Sequence, residues 1–413
     1  MLSNAFKVFA QLLYKLHALI AAGEGDRPLA DDIRDQMDRP WHALPSHEQS
    51  IARVLSADLY DLRTEPAEAQ KPSSEEDRQL LSALSEAAQR QDWQYVLENI
   101  RGVREFMRPS FAAYIRGRAW ADLGDADTAW LFFDRASQLD PGDMNFQFIA
   151  LDTLSKSTRT EDAEQMAKTI LDNQEHYHPK LVAKAADIQF TLTRGLTDDA
   201  AVDAYRRLIA VYDPLVLRLR DPSGDAPLIL VEALVLKGMC HEHLGQRAAA
   251  RDCYDQALRI DPYNEAALTA RGLLLYGQDE QALADLQAAC DQNTPLAWPY
   301  LFLAHHFLTV GDYGRCAHYC TVGLSRSPTT RAEADLFEWR AISQHELGAP
   351  PEQVRALFRK AIQLAPANDR IRSNFILFER LVARATTVAG WSLQPEEETR
   401  QIGREEFMFR AVA

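Results

Sequence analysis

Three His-Glu pairs and one closely spaced cysteine pair are the residues of this chain whose types and spacing could do chemistry. Zinc-assisted hydrolysis from a helix takes the pattern HExxH, because two imidazoles one turn apart must face the same ion. His47-Glu48, His241-Glu242 and His345-Glu346 each lack the second histidine, with Ile51, Gly245 and Ala349 standing there instead. Cys316 and Cys320 are one helical turn apart and His305 and His306 precede them, so four soft ligands could converge on a metal. Free cysteine is commonly buried, however, and no close-spaced pair of the structural-zinc type accompanies them, which favours packing over ligation. No glycine-rich phosphate loop, nucleophile elbow or dinucleotide fingerprint occurs. The expectation is therefore no catalytic residue, no metal site and no cofactor.

Composition narrows the partners. A formal net charge of -15 over 413 residues repels a phosphate backbone, and no Lys/Arg run with interleaved aromatics forms a local basic stripe. Nucleic acid is not an expected partner. No apolar run approaches the roughly 20 residues needed to span a bilayer. Residues 1–23 are apolar enough to suggest a signal peptide, but Lys7 and Lys15 interrupt them and no small-x-small cleavage site follows. The five cysteines are odd in number and fall within helical patterns, as reduced thiols do. A cytoplasmic protein is expected.

Prolines punctuate the chain at Pro109, Pro141, Pro179, Pro214, Pro262, Pro295, Pro328 and Pro366, several of them separated by one short period. Such a period signals a helical repeat array. From Val231 to Pro262, Leu234, Gly238, Gly245, Ala250, Tyr254 and Ala257 have the offsets of a two-helix hairpin. Gly238 and Ala257 are small where paired helices approach, Leu234 and Tyr254 fill the space between them, and Gly245 permits the tight turn. Asp261 and Pro262 stop the second helix.

This pattern resembles the tetratricopeptide repeat, a unit of about 34 residues. A second good copy, residues 110–143, has Gly117, Trp120, Gly124, Ala129, Phe133, Ala136 and Pro141 in the corresponding places. A degenerate copy from Glu265 keeps Leu268, Gly272, Ala282, Leu286 and Ala289 with a shortened turn at Tyr276 and Gly277. The next, from Ala297, keeps Leu303, Ala304, Gly311 and Pro328 but puts Cys316, Cys320 and Gly323 at the buried places of its second helix. The last keeps Phe337, Ala341, Gly348, Phe358, Ala361 and Pro366, with a longer turn at Ala349 to Pro351. Residues 144–171 and 179–212 read as divergent repeats, and 75–107 as a further hairpin.

The resemblance implies an all-α fold, a right-handed superhelical solenoid of antiparallel helix pairs. A small N-terminal helical module is expected over residues 1–70, divergent repeats over 75–230, repeats and a capping helix over 231–384, and a mobile tail over 385–413. Within the first module, Phe6, Phe9, Leu13, Leu16 and Ile20 form an amphipathic face expected to pack on the first hairpins. Ser46 and Gln49 read as a capping box. Residues 70–75 read as a linker, and 218–227, which contains RDPSGDAP, as a loop bulging from the edge of the array.

The resemblance also implies that the first helices line a concave groove that takes an extended peptide or a helix. Carried over position by position, the lining is Tyr114 and Arg118, then Glu242, then Thr269 and Tyr276, then Trp298 and His305, then Glu338 and His345. A carboxylate clamp of Lys, Asn and Arg is not supported, since Val235, Met239, Ala266 and Ala270 hold the matching places. The expected function is a non-catalytic scaffold or adaptor binding a protein or peptide. The alternative is a self-associating array whose terminal segments dock into a neighbour's groove.

Overall fold

In the computed structural model, residues 2–62, 69–196, 198–220 and 226–384 are described, and among them regular structure is entirely helical. The chain divides into two compact units, Met1–Gln189 and Phe190–Ala413.

The first unit begins with α1 (Asn4–Ala21), α2 (Pro28–Ala43) and α3 (Ser46–Asp61). It continues through α4 (Glu75–Gln89), α5 (Trp93–Val103), α6 (Pro109–Asp122), α7 (Ala126–Leu139), α8 (Met144–Ser155) and α9 (Thr160–Asp172). The amphipathic face of α1 is buried, with Phe6, Phe9 and Leu13 sharing one core with Leu55, Leu97, Trp120, Phe132 and Phe133. Phe6 stacks on Trp120 at 6.5 Å between ring centres. The first three helices thus pack into the repeat built by α6 and α7.

A charged cluster pins the end of α3 to that repeat. Asp58, wholly buried, accepts from Trp120 Nε1 at 3.2 Å and lies 3.3 Å from Arg116 Nε. Asp61 pairs with Arg101 and Arg104, both at 2.9 Å. Burial outweighs the Arg116 guanidinium at Asp58 and lifts its carboxyl to about 6.

The expected capping box at Ser46 is absent. Pro45 stands at the cap of α3 without a side-chain bond, and Gln49 Nε2 instead donates to the Leu44 and Trp41 carbonyls at 3.2 and 3.3 Å. Those carbonyls close the tight bend after α2, so Gln49 serves the preceding helix's end. A true capping box sits at Ser74, whose Oγ accepts from the Asp77 amide while Asp77 Oδ2 accepts from the Ser74 amide at 2.9 Å. Hydrogen bonding from the Ser74 side chain, and then from its backbone amide, holds the Asp77 carboxyl below the usual range. Ser74→Ala is expected to fray the first turn of α4, read as faster hydrogen exchange at the Asp77 to Gln79 amides with the global unfolding midpoint unmoved. Unchanged exchange there would show that the cap contributes nothing.

The helix α10 (Pro179–Thr193) crosses the boundary between the units. The second unit then holds α11 (Asp198–Leu219), α12 (Ala226–His243), α13 (Arg247–Ile260), α14 (Glu265–Leu275), α15 (Gln281–Asp291), α16 (Ala297–Thr309), α17 (Tyr313–Leu324), α18 (Thr330–Glu346), α19 (Pro351–Leu364) and α20 (Asp369–Arg384). From α12 onward, consecutive helices pair and each pair stacks on the next. An ideal Cβ on Gly238 would lie 2.4 Å from Tyr254 Cε1, and one on Gly272 2.8 Å from Leu286 Cγ. Those approaches are why the repeat takes glycine there. Gly245 leaves α12 at φ +71°, the left-handed conformation that ends a helix cheaply only at glycine.

One proline departs from the expected punctuation. Pro214 lies inside α11, which runs on to Leu219. Half of the segment expected to bulge as a loop, residues 221–225, lies outside the described residues, and its described ends are helical where a loop was expected, with α11 running to Leu219 and α12 starting at Ala226. The expected tail, 385–413, is likewise outside them.

Candidate functional site

The carried-over lining residues fall in both units, Tyr114 and Arg118 in the first and the remaining seven in the second. On α6, Tyr114 joins an aromatic group with Phe111, Phe133 and Phe146 at 5.7 to 6.1 Å. Arg118 is half-exposed and 3.6 Å from Asp122, one turn along the same helix. The side chains here are partly accessible and aromatic.

In the second unit the first helices of successive pairs, α12, α14, α16, α18 and then α20, meet along one face. Tyr276 on α14 reaches α16, donating to the Phe302 carbonyl at 3.1 Å and lying 2.9 Å from His305 Nδ1. His305 in turn packs 5.3 Å from the Trp339 ring on α18. Glu338 on α18 accepts from Asn374 Nδ2 on α20 at 2.8 Å and pairs with Arg370 at the same distance. His345 meets the edge of Phe378, also on α20, at 5.3 Å. These contacts link rung to rung, from α14 through α16 and α18 to α20.

Accessibility divides the set. Glu242, Tyr276 and His345 are partly accessible, whereas Thr269, Trp298, His305 and Glu338 are buried. Glu242 also has a structural duty, accepting from the Tyr254 hydroxyl at 3.2 Å, while Tyr254 itself fills the hollow beside Gly238. Burial, with Glu242 beside it, holds that phenol well above its ordinary range.

Sequence reading missed the ions that brace this face. Arg370, read only as part of a cap, reaches back to both Asp335 and Glu338. Arg271 bridges Asp255 at 2.6 Å and Asp285 at 2.7 Å, joining α14 to the second helices on either side. Lys237 on α12 pairs with Asp213 on α11 at 2.6 Å. The available signal was a cation recurring on first helices while acids recur on the helices before them.

The cysteine and histidine set does not assemble as a metal site. Cys316 and Cys320 Sγ lie 3.9 Å apart, both wholly buried, and His305 faces Tyr276 and Trp339. Among the described residues no group of three or more His, Cys, Asp or Glu side chains converges. Burial pushes the Cys320 thiol up, while the hydrogen bond with Cys320 draws Cys316 down. The first unit has an open cleft of about 600 Å³ between α1, the end of α3, α7 and the turn before α9. Of its polar side chains, Tyr14 is engaged with Asp125, Thr158 with Asp127 and Arg159 with Asp162, and Gln11, Lys15 and His17 line it as well.

Among the described residues no helix is long and apolar enough to cross a membrane. Residues 231–264 match the sequence model of the tetratricopeptide repeat. Protein CTR9 homolog of Arabidopsis thaliana is 25% identical over 54% of this chain, and the match spans only 19% of that protein's length. Of solved structures, a thermophilic TPR protein of Thermus thermophilus shares 20% identity, with a TM-score of 0.35 over 44% of this chain and 91% of that one. The pilF protein of Pseudomonas aeruginosa shares 13%, with a TM-score of 0.43 over 53% of this chain and 92% of that one. The matched unit is the one built by α12 and α13, and the same small-residue contact recurs in α6 with α7 and α14 with α15. The chain carries a tetratricopeptide repeat at residues 231–264, and its described residues are all-helical, assembled from helix pairs of this kind.

Proposed function

We propose that the chain is a non-catalytic interaction scaffold, and that a partner's peptide or helix binds along the first helices of the second unit. The observation that supports this reading is the series of rung-to-rung contacts made by Tyr276, His305, Glu338 and His345. A row of first helices offers an extended surface with aromatic and charged anchors at regular spacing, the kind of surface on which repeat proteins recognise chains. The half-buried aromatic group around Tyr114 supports a contact of the same type on the first unit. Cytoplasmic residence belongs to the same proposal, with five free thiols in keeping with it.

The test is affinity capture with crosslinking from the native lysate, comparing the intact chain with Glu242→Gln plus His345→Ala. Both side chains are partly accessible, and a matched melting curve would show that the fold survives. One protein lost from the capture, and protecting α12, α14, α16 and α18 from hydrogen exchange when added back, is the expected result. Unchanged capture with no protection of those helices would move the binding surface elsewhere.

A further inference from the structure

Beside α1 in the first unit, the cleft of about 600 Å³ continues into a second hollow of about 230 Å³, and Gln11, Tyr14, Asp127 and Thr158 are walls of both. Together they follow α1 from Leu2 to Ala18, about 24 Å of helix at 1.5 Å per residue. The floor is apolar, with Phe6 and Ala10 in the smaller hollow and Leu59, Leu62 and Leu131 in the larger. The banks are basic. Lys7 and Lys156 border the smaller hollow, Lys15 and Arg159 the larger. Lys7 and Lys15 are exposed, and among the described residues neither is in an ion pair. Lys156 and Arg159 pair with carboxylates outside the cleft, Asp152 at 2.8 Å and Asp162 at 2.6 Å, and exposed pairs of this kind exchange partners at little cost. The acids in the walls are turned toward the protein. Asp125 accepts from the Tyr14 hydroxyl at 3.0 Å and from Thr128 Oγ1 at 2.7 Å, and Asp127 from the Thr158 amide at 3.0 Å and its hydroxyl at 2.8 Å. On a chain with a net charge of -15, an apolar trough with basic banks is a local exception.

We propose that this trough docks an acidic amphipathic helix of a protein partner, its apolar face on the floor and two of its carboxylates over Lys7 and Lys15. The surface belongs to the first unit and does not rest on the row of first helices in the second. Shape selects a helix, since an elongated apolar trough takes one through side chains at i, i+3, i+4 and i+7. Charge selects the acid, because cations without partners on the bank of α1 favour an anionic rim on whatever lies beside them. Spacing sets the pattern. Lys7 and Lys15 stand eight residues apart on α1, about 12 Å along its axis. Carboxylates seven residues apart on a partner helix project from one side about 10.5 Å apart, and the flexible lysine stems close the difference. Between them the larger hollow suits an aromatic anchor and the smaller an aliphatic one.

The test is fluorescence anisotropy of the full-length chain with a fluorescein-labelled synthetic helical peptide that carries two glutamates seven residues apart and Phe and Leu between them on the same face. A twin peptide carries lysine in place of both glutamates. The glutamate peptide is expected to bind saturably and the lysine twin about tenfold more weakly, with the gap narrowing as salt is added. Lys7→Glu with Lys15→Glu is expected to reverse that preference, and since both side chains are exposed a matched melting curve should show the fold intact. Ala18→Trp, at an exposed position that would fill the larger hollow, is expected to abolish binding of either peptide while leaving every charge in place. Equal binding of the two peptides, an unreversed preference in the lysine variant, or no saturable binding below about 1 mM would each overturn the proposal. Loss of the glutamate peptide from Glu242→Gln plus His345→Ala would move the contact to the second unit and overturn it as well. If the chain alone self-associates and the glutamate peptide disperses it, the occupant is a second copy and the partner reading fails. None of these outcomes bears on whether a partner protects α12, α14, α16 and α18, so the two surfaces stand or fall separately.

Discussion

Gly238→Leu is expected to destabilise the second unit by roughly 1–3 kcal/mol through overpacking. The obstacle is rigid. Even a Cβ there would stand 2.4 Å from Cε1 and 2.9 Å from Cδ1 of Tyr254, well inside contact distance. The Tyr254 ring has nowhere to go, being wholly buried and tethered through its hydroxyl to Glu242 at 3.2 Å. Moving it would break that bond and open the α12–α13 seam, so the strain cannot relax within one side chain. Gly272 provides the comparison. Its nearest neighbours are Leu286 Cγ and Cδ2 at 2.8 and 2.9 Å, with the Ala282 carbonyl at 3.2 Å, and a leucine side chain yields more readily than a pinned ring. Urea unfolding should therefore rank Gly238→Ala as more damaging than Gly272→Ala, with Gly238→Leu worst of all. An unchanged midpoint for Gly238→Leu would mean that α12 and α13 do not pack as described.

The features legible in the sequence were those fixed by contact within one helix pair. Gly117, Gly238 and Gly272 each meet the large residue of their own partner helix, and such contacts demand a residue type at a set offset. Contacts between distant segments left no such signature. Phe6 and Leu13 advertise an apolar face, but nothing in their spacing names Trp120 and Phe132 as its cover. Pro214 misled because a proline within a helix costs only its own hydrogen bond and a local clash, which the packing of a long helix can absorb. Ser46 misled because the capping motif is short, and Gln49 found better acceptors in the exposed carbonyls at the end of α2. Within the candidate site, repeat position placed Tyr276, His305, Glu338 and His345 on first helices. It did not convey which are accessible, because accessibility depends on what the neighbouring rung and any occupant bring.

Arg370→Ala is expected to be the more costly of the two substitutions, at about 3–5 kcal/mol, because it removes a guanidinium shared by two buried carboxylates. Asp335 and Glu338 are at most 1% exposed, and Arg370 pairs with both. Asn374 gives Glu338 a hydrogen bond at 2.8 Å but no charge. Loss should concentrate at α20, whose hold on α18 runs through this cluster as well as through Ile371 and Phe378. Hydrogen exchange in α20 is expected to accelerate toward that of an unanchored helix, while α12 and α13 keep their protection. Arg370→Lys should recover only part of the loss, since one ammonium cannot reproduce a fork placed between two carboxylates. The decisive comparison is Arg370→Met combined with Asp335→Asn and Glu338→Gln, which removes all three charges together. If the triple variant is much more stable than Arg370→Ala, the cost lay in stranded charge. If it is no better, the arginine acts by packing against Trp339, whose ring it covers at 6.0 Å, and the electrostatic account of this rung fails.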